Sequence, residues 1–281
     1  MLSLRYALPA LDLRSFFSTY YLFRADLPKV FDTTRADLPQ MRFMLNGSGF
    51  YTFGNGQRSD CPEAMITGPT RAATQFMADG PLLVFGVGLL PAGWAALVGT
   101  SAAEMSDTVE PAENVLGCVA GQMLDWLRSA RSLETMCARM DIILRLLVDR
   151  PREQPLRWFT QIADAWLMGE ASPRIDDLMR EARLSARQLE RLANRLYGAP
   201  PKLLARKYRT LRIASRVVTQ EDSWQDLVGD AFYDQSHLIR DFKRFTGQTP
   251  RQLLTNPSPV TKLMVARRHM GSELPLLALE S

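Results

Sequence analysis

Two groups of polar side chains have the types and spacing needed to read the edges of DNA bases. The first group comprises Arg187, Glu190 and Arg191, and the second comprises Gln235, Ser236 and Arg240. Arg can donate two hydrogen bonds to guanine, and Gln can pair with adenine. Such side chains reach bases when they stand near the N-terminus of a helix in the major groove. The hypothesis of DNA binding therefore depends on whether helices present them.

An internal repeat predicts those helices. Ile175, Leu178, Met179 and Ala182 form an apolar stripe at helical spacing, and adding 49 to each number gives a second stripe: Trp224, Leu227, Val228 and Ala231. The same shift relates Leu189 to Leu238 and Leu196 to Phe245. A unit of two short helices joined by a tight turn therefore occurs twice, which is the helix-turn-helix pattern.

The second helix of each unit is the predicted recognition helix. These helices are Ser185–Tyr197, with Gln188 at the capping-box spacing, and Asp234–Thr246, with Asp234 as N-cap. One face of each is apolar and is expected to pack against the domain: Leu189, Leu192, Leu196, and Leu238, Phe242, Phe245. The opposite polar faces are then free to meet DNA.

A continuous helix is predicted between the two units, from Pro201 to Thr219. Its 19 residues would span ~28 Å at about 1.5 Å each, which suits two recognition helices in successive major grooves about 34 Å apart. Basic side chains on and around it are candidates for phosphate contacts, together with His237 near the second helix start: Arg195, Lys202, Arg206, Lys207, Arg209, His237 and Lys243. Arg191 and Arg240 have an alternative role, as internal clamps that pair with an acidic neighbour.

The same region resembles the AraC/XylS family of transcription regulators. The resemblance rests on DQSHLIRDFKRFTGQTP at 234–250, on LSARQLERL at 184–192 and on YGAPPKLL at 197–204, and it covers residues 156 to 255. It implies a domain of seven helices that binds two adjacent major grooves and uses no cofactor. The implied base-reading positions are Arg187, Glu190, Arg191, Gln235, Ser236, Ile239 and Arg240.

Two residues depart from that family's pattern. The family usually has Gly in both turns between paired helices, whereas this chain has Arg183 and Ala231 there. If the turns need positive φ, each side chain costs about 1 kcal/mol of stability. The departure bears on stability and leaves the resemblance intact.

The N-terminal half has a different pattern. Residues 1–110 predict a small β-barrel, with apolar segments at 41–45, 50–53 and 82–90 and hairpin turns at 47–49 and 53–57. Residues 111–150 predict two helices that end near Arg150-Pro151. The predicted fold is therefore α+β followed by all-α: a β-rich sensor or dimerisation domain at 1–150, a linker at 151–155, a seven-helix domain at 156–255 and a loosely held tail at 256–281.

The regulatory role of the N-terminal half rests on a resemblance. Residues 86–109 are similar to the sensor-like N-terminal domain of one branch of the same family. Five aromatic residues either line an effector pocket there or form the barrel core: Phe43, Phe50, Tyr51, Phe53 and Trp94. The apolar stripes of the helices at 112–149 either pack on a second copy or return to the barrel. Ligand sensing and pure dimerisation both stay open.

The distribution of charge favours a nucleic-acid-binding protein, and the motifs argue against an enzyme. Residues 1–172 carry 15 Lys and Arg against 18 Asp and Glu, whereas residues 173–255 carry 16 against 10. A basic module joined to a slightly acidic one suits a protein whose second half meets phosphates. The chain lacks GxSxG, HExxH and glycine-rich phosphate motifs, so no catalytic residue, metal site or cofactor is predicted.

Partners and compartment follow from these features. The expected partners are duplex DNA, a small-molecule effector, a second copy of the chain and, for an activator, RNA polymerase. The three cysteines have no metal-ligand spacing, and no apolar run reaches about 18 residues. We therefore expect a cytoplasmic protein associated with the nucleoid.

Overall fold

The N-terminal half is built on an antiparallel sheet. The computed structural model describes residues 1–149, 157–169, 173–219 and 235–280. The strands are β1 Leu2–Ala7, β2 Phe17–Ala25, β3 Lys29–Thr34, β4 Gln40–Thr52, β5 Arg58–Asp60, β6 Ala64–Thr67, β7 Thr74–Leu89 and β8 Val109–Pro111. The order is β1-β2-β7-β4-β6-β8, with β3 on β7 and β5 on β4. Within residues 1–149 no ladder joins β1 to β8, so hydrogen bonds between these strands do not close the sheet.

The long strand β4 corrects one sequence prediction. The segments at 41–45 and 50–53 belong to this single strand, and the turn predicted at 47–49 is wrong. Gly47 has φ +87° where the register with β7 shifts, so the glycine forms a bulge inside the strand. Gly49 lets β7 approach closely, because a Cβ there would lie 2.4 Å from the Met77 carbonyl oxygen. The turn predicted at 53–57 is confirmed: the Phe53 amide donates to the Gln57 carbonyl at 2.9 Å, between β4 and β5.

Four helices follow or interrupt the sheet, namely α1 Pro91–Leu97, α2 Glu113–Leu116, α3 Val119–Arg128 and α4 Leu133–Val148. The first of the two predicted helices is divided, because Gly117 adopts φ +65° and ends α2. The apolar stripe of α4, including Met140 and Leu144, is buried in one core with sheet residues such as Phe85. Packing onto the sheet therefore accounts for these stripes.

The C-terminal half is helical, as predicted. Its helices are α5 Arg157–Gly169, α6 Ile175–Ala182, α7 Ala186–Tyr197, α8 Pro201–Thr219, α9 Gln235–Thr246 and α10 Pro250–Thr255. The predicted linker at 151–155 and the second unit's first helix around 224–231 lie outside the described residues. No described helix is long and apolar enough to cross a membrane.

The described tail is packed, so the prediction of a loosely held tail is wrong. It contains α11 Pro259–Val265, a 3-10 helix Ala266–Glu273 and α12 Leu276–Glu280. Val260 and Met264 are buried against the sheet core, whereas Leu277 and Ala278 are buried in the core of the first helix-turn-helix unit. The tail thus joins both halves, which its irregular sequence pattern did not reveal.

The two halves also contact each other directly. Arg35, which precedes β4, is fully buried and donates from Nη1 to the Ser215 hydroxyl of α8 at 2.7 Å. The Ala36 amide donates to the Phe245 carbonyl at the end of α9, also at 2.7 Å. A charged side chain and a backbone hydrogen bond therefore hold α8 and α9 against the sheet domain.

Candidate nucleic-acid interface and effector cavity

The first helix-turn-helix unit consists of α6 and α7. Arg183 ends α6 in the left-handed conformation, with φ 53° and ψ 42°, so this turn does require positive φ at a residue other than glycine. Ser185 then caps α7: its hydroxyl accepts from the Gln188 amide, and the Gln188 side chain accepts from the Ser185 amide. The predicted capping box is confirmed. Together the turn and cap fix the angle at which α7 leaves α6.

The polar face of α7 is exposed. Leu189, Leu192 and Leu196 are buried as predicted. The base-reading candidates Arg187, Glu190 and Arg191 and the phosphate candidate Arg195 are all exposed on the opposite side. The Arg195 carbonyl accepts a hydrogen bond from the Ala102 amide of the sheet domain at 2.9 Å, so the C-terminal end of α7 touches that domain. The base-reading candidates lie in the first two turns of α7, at the other end of the helix.

The second recognition helix is α9. Leu238, Phe242 and Phe245 form its buried stripe, as predicted. The other face exposes the candidates Ser236, His237, Ile239, Arg240 and Lys243. Gln235 begins the helix, but its side chain lies outside the described part of the chain, as do Asp234 and Ala231. Most of the second candidate group therefore shares one exposed face.

The connecting helix α8 spans the predicted 19 residues, but its basic side chains are not all exposed. Lys202 is exposed near its start. The prediction that Lys207 contacts phosphate is wrong for this arrangement, because its ammonium group is buried and donates to the carbonyls of Asp37 at 2.8 Å and Thr70 at 3.0 Å. Burial lowers the pKa of Lys207 to about 8. This lysine binds the sheet domain.

Two further arginines of α8 are only partly exposed. Arg206 is partly buried and forms an ion pair with Asp241 of α9. Arg209 is half-buried, and burial lowers its pKa. Both side chains contact the protein as well as solvent, so their phosphate role stays a prediction. Helical periodicity around Leu204, Tyr208 and Leu211 did not indicate this partial burial, because Arg206 and Arg209 lie on the opposite side of α8.

Asp241 is a residue that sequence reasoning missed. A clamp with an acidic neighbour was the alternative role of Arg191 and Arg240, and the structure shows such a pair between Arg206 and Asp241. The signal that could have found it is the position of Asp241 beside Phe242 on the buried side of α9. A carboxylate at such a place needs a partner.

An apolar cavity lies in the sheet domain and ends against the tail. Its volume is about 100 Å³. Strand residues such as Leu4, Phe23 and Val84 line it, and Val260 and Met264 of α11 complete one wall. Of the five aromatic candidates, Phe50 and Tyr51 line this cavity.

The other three aromatic candidates do not line this cavity, and for Phe43 and Trp94 the predicted pocket role is wrong. Phe43 and Trp94 are fully buried in the core between the sheet and α1–α4. Phe53 ends up at the β4–β5 turn, beside a separate cleft. Phe43 lies on the side of the sheet that α1–α4 cover, and Trp94 belongs to α1 itself.

Polar groups are concentrated at one side of the cavity. Arg42 donates from Nε to the Tyr21 hydroxyl at 2.8 Å and from Nη1 to the Tyr51 hydroxyl at 2.7 Å. Burial raises the pKa of both tyrosines, so their hydroxyls remain protonated. Gln40 also lines the cavity, and its buried Oε1 has no hydrogen-bond partner among the described residues. The cavity therefore combines apolar walls with two cations, Arg42 and Arg267, one carboxylate, Asp37, and one acceptor without a partner, Gln40 Oε1.

Metal binding finds no support in the described ranges. Residues 1–149, 157–169, 173–219 and 235–280 contain no group of three or more His, Cys, Asp or Glu that could hold an ion. His237 and His269 are the chain's only histidines.

Comparison with known proteins identifies the class of the helical half. Residues 178–256 match a family model described as a helix-turn-helix domain. The chain thus carries a helix-turn-helix domain over these residues, and the recognition of an AraC-type helix-turn-helix from the sequence is confirmed for this domain. No curated protein matches the chain in sequence.

Solved structures of ToxT from Vibrio cholerae are similar to this chain. A 1.65 Å structure is 11% identical, covers 85% of this chain and 98% of its own, and has a TM-score of 0.46. The apo K231A form from strain SCE256 is 11% identical, covers 84% and 100%, and has a TM-score of 0.45. A form of wild-type ToxT bound to an unsaturated fatty acid is 8% identical, covers 90% and 94%, and has a TM-score of 0.43.

Proposed function

We propose that the chain is a sequence-specific transcription regulator that places α7 and α9 in adjacent major grooves. The observation that supports this proposal is a pair of exposed polar faces on two helices, with a helix of 19 residues between them. Arg187, Glu190 and Arg191 would read one half-site, and Gln235, Ser236, Ile239 and Arg240 the other. Lys202, Arg195, His237 and Lys243 remain the phosphate candidates on exposed surface.

Selection from a random duplex library tests this proposal. The full chain is expected to enrich one bipartite motif, and its affinity should fall steeply with salt because phosphates are neutralised. Arg187→Ala should relax preference in one half of the motif, by about 1–3 kcal/mol at the base that it contacts. Arg251→Ala, which removes an exposed arginine of α10, serves as the matched control. Absence of any enriched motif would overturn the proposal.

The N-terminal domain would regulate this activity by binding a small molecule. The cavity takes a compact apolar molecule, and Arg42 suits an acceptor or an anionic group at its polar end. Because α11 forms part of the cavity wall, a bound molecule would touch the tail as well as the sheet. The alternative is a domain used only for dimerisation, for which Ile142 and Leu146 are exposed apolar residues on α4.

Thermal shifts with a matched pair of probes separate these two possibilities. Hexanoate and 1-hexanol share an apolar chain, and only hexanoate carries a charge for Arg42. We expect hexanoate to raise the Tm of the full chain in a saturable way, since a ligand of the native state stabilises it. Arg42→Met should lose this shift, whereas Arg24→Met, at an exposed position on β2, should keep it. If neither probe shifts the Tm but sedimentation shows a dimer, the dimerisation alternative stands.

Partners beyond DNA follow from the same proposal. A regulator that activates would also contact RNA polymerase, whereas a repressor need only occupy its site. Transcription in vitro from a template carrying the selected motif distinguishes the two by the sign of the change.

A further inference from the structure

A second concave site lies where the end of α9 meets the sheet domain. We name it the basic cleft and define it by Arg71, Asp107, Lys243 and Arg244, with Asn55 and Gln75 as its neutral polar walls. Its volume is about 500 Å³, and the apolar cavity described above shares none of these residues. The β4–β5 turn supplies one wall and the last turn of α9 supplies the other. Neither the DNA-reading faces nor the cavity accounts for this site.

The two walls of the basic cleft are held together by hydrogen bonds. The Ala73 amide donates to the Arg244 carbonyl at 2.7 Å, and Arg244 Nε donates to the Arg71 carbonyl at 3.3 Å. At Gly247, with φ +75°, a Cβ would lie 2.7 Å from Cγ2 of Thr33, so the backbone after α9 lies directly against β3. These contacts fix the positions of the two walls relative to each other.

The charges of the basic cleft favour an anion. Arg71 is fixed by hydrogen bonds from its guanidinium to the carbonyls of Gly198 at 2.8 Å and Ala103 at 3.3 Å. The one carboxylate of the cleft, Asp107, accepts from the Arg71 amide at 2.9 Å and adopts φ 57°, an uncommon conformation for a residue other than glycine. Lys243 and Arg244 are exposed toward solvent. Three cations thus face one carboxylate that is already bonded.

We propose that the basic cleft binds a small phosphorylated molecule through Lys243 and Arg244, with Asn55 and Gln75 contacting its neutral polar part. Charge-assisted hydrogen bonds from Lys and Arg suit phosphate oxygens, and the volume accommodates more than one phosphate group. Because the walls come from both halves of the chain, such a ligand stabilises the arrangement in which they are docked. This proposal does not depend on DNA binding.

Duplex DNA is the rival occupant for one of these cations. Lys243 lies on the exposed face of α9, so a DNA phosphate could contact it without contacting the sheet domain. Arg244, in contrast, donates to that domain and lies in the cleft. A site that needs both residues therefore differs from a DNA contact that needs only Lys243.

Calorimetric titration of the full chain with inorganic pyrophosphate tests the proposal, with sodium chloride held at matched ionic strength. We expect saturable binding at one site. Lys243→Gln should weaken it about tenfold, since one charge-assisted hydrogen bond is lost. Lys262→Gln, at an exposed position on α11 outside the cleft, should leave the affinity within about twofold. Arg244→Gln should also weaken binding, and its Tm without ligand reports any loosening of the interface.

Two outcomes would overturn the proposal. One is the absence of saturable binding. The other is equal affinity for Lys243→Gln and Lys262→Gln, which would mean that general charge attraction holds the anion. If pyrophosphate fails to saturate while Lys243→Gln weakens binding to duplex DNA, Lys243 is assigned to DNA. Pyrophosphate binding without a selected DNA motif would separate this site from the proposed transcription role.

Discussion

The guanidinium of Arg206 binds both carboxylate oxygens of Asp241, and this pair joins the connecting helix α8 to the recognition helix α9. The Nε–Oδ2 distance is 3.2 Å, and Nη2 contacts Oδ1. The Asp241 side chain is 3% exposed, whereas that of Arg206 is 40% exposed. The hydrogen bond that Arg206 donates to Asp241 raises the pKa of Arg206. The orientation of α9 relative to α8 therefore depends on a buried carboxylate with a partner from the other helix.

Removing that partner should destabilise the helical half. Arg206→Ala leaves the Asp241 carboxylate buried and unpaired, and breaking such a pair costs about 3–5 kcal/mol, with the lower end expected here because Arg206 is partly solvated. Arg206→Lys retains a charge without the bidentate geometry and should cost less. Urea unfolding measures these changes, and Arg251→Ala is the control at an exposed arginine. Equal midpoints for Arg206→Ala and Arg251→Ala would contradict the structural role of the pair.

Substitution of Lys207 should weaken the contact between the two halves of the chain and leave DNA binding unchanged. Lys207→Ala removes the donor from the carbonyls of Asp37 and Thr70, and a buried acceptor without a donor costs about 1–3 kcal/mol. The expected result is a lower Tm and faster proteolysis, with an unchanged salt slope of DNA binding. Lys202→Ala is the matched comparison on the same helix, and it should reduce that slope by about one. A reduced slope for Lys207→Ala would restore its predicted phosphate role.

Local sequence signals predicted the helical half well. The capping box at Ser185 and Gln188, the proline at the start of α8 and the apolar stripes all act within a few residues of one chain segment. Helix bounds and buried faces follow from such signals, and the structure confirms them for α7, α8 and the described part of α9.

Those local signals do not predict contacts between segments that are distant in sequence. Charged residues are usually exposed, but Lys207 and Arg35 are each buried against the opposite half of the chain. The tail is also held by a contact between residues that are far apart in sequence. The Val260 amide donates a hydrogen bond to the Asp32 carboxylate at 3.0 Å. The cavity wall at Val260 and Met264 could not be predicted because it depends on this docking.

Arg183 should be a site where glycine stabilises the protein. The residue has φ 53° at the end of α6, and a side chain with a Cβ costs about 1 kcal/mol or more there relative to glycine. Arg183→Gly is therefore expected to raise the free energy of unfolding by about 1 kcal/mol. Glu181→Gly, two residues earlier inside the same helix, is expected to lower it by a similar amount. If both substitutions lower stability in urea, the left-handed turn at Arg183 is not the cause of strain.

Asp164 of α5 makes the stability of the helical half depend on pH. Burial raises the pKa of Asp164 from 3.8 to about 7, although the Tyr197 hydroxyl, which donates to its Oδ1 at 2.6 Å, acts in the opposite direction. Because the folded pKa is the higher one, the folded state binds more protons between these values. The stabilising contribution is therefore complete below about pH 4 and is lost as pH rises through 7.

The loss amounts to at most about 4 kcal/mol, at 1.36 kcal/mol for each pKa unit. Asp164→Asn keeps an acceptor for Tyr197 and removes the charge, so its stability should exceed that of the unsubstituted chain at pH 8 and should lack this pH dependence. Urea midpoints measured from pH 4.5 to 8 provide the comparison, with Asp176→Asn as an exposed control on α6. Parallel pH profiles for the unsubstituted chain and Asp164→Asn would show that the carboxyl titrates near its ordinary value, and the desolvation of α5 beside Tyr197 would then be weaker than its burial implies.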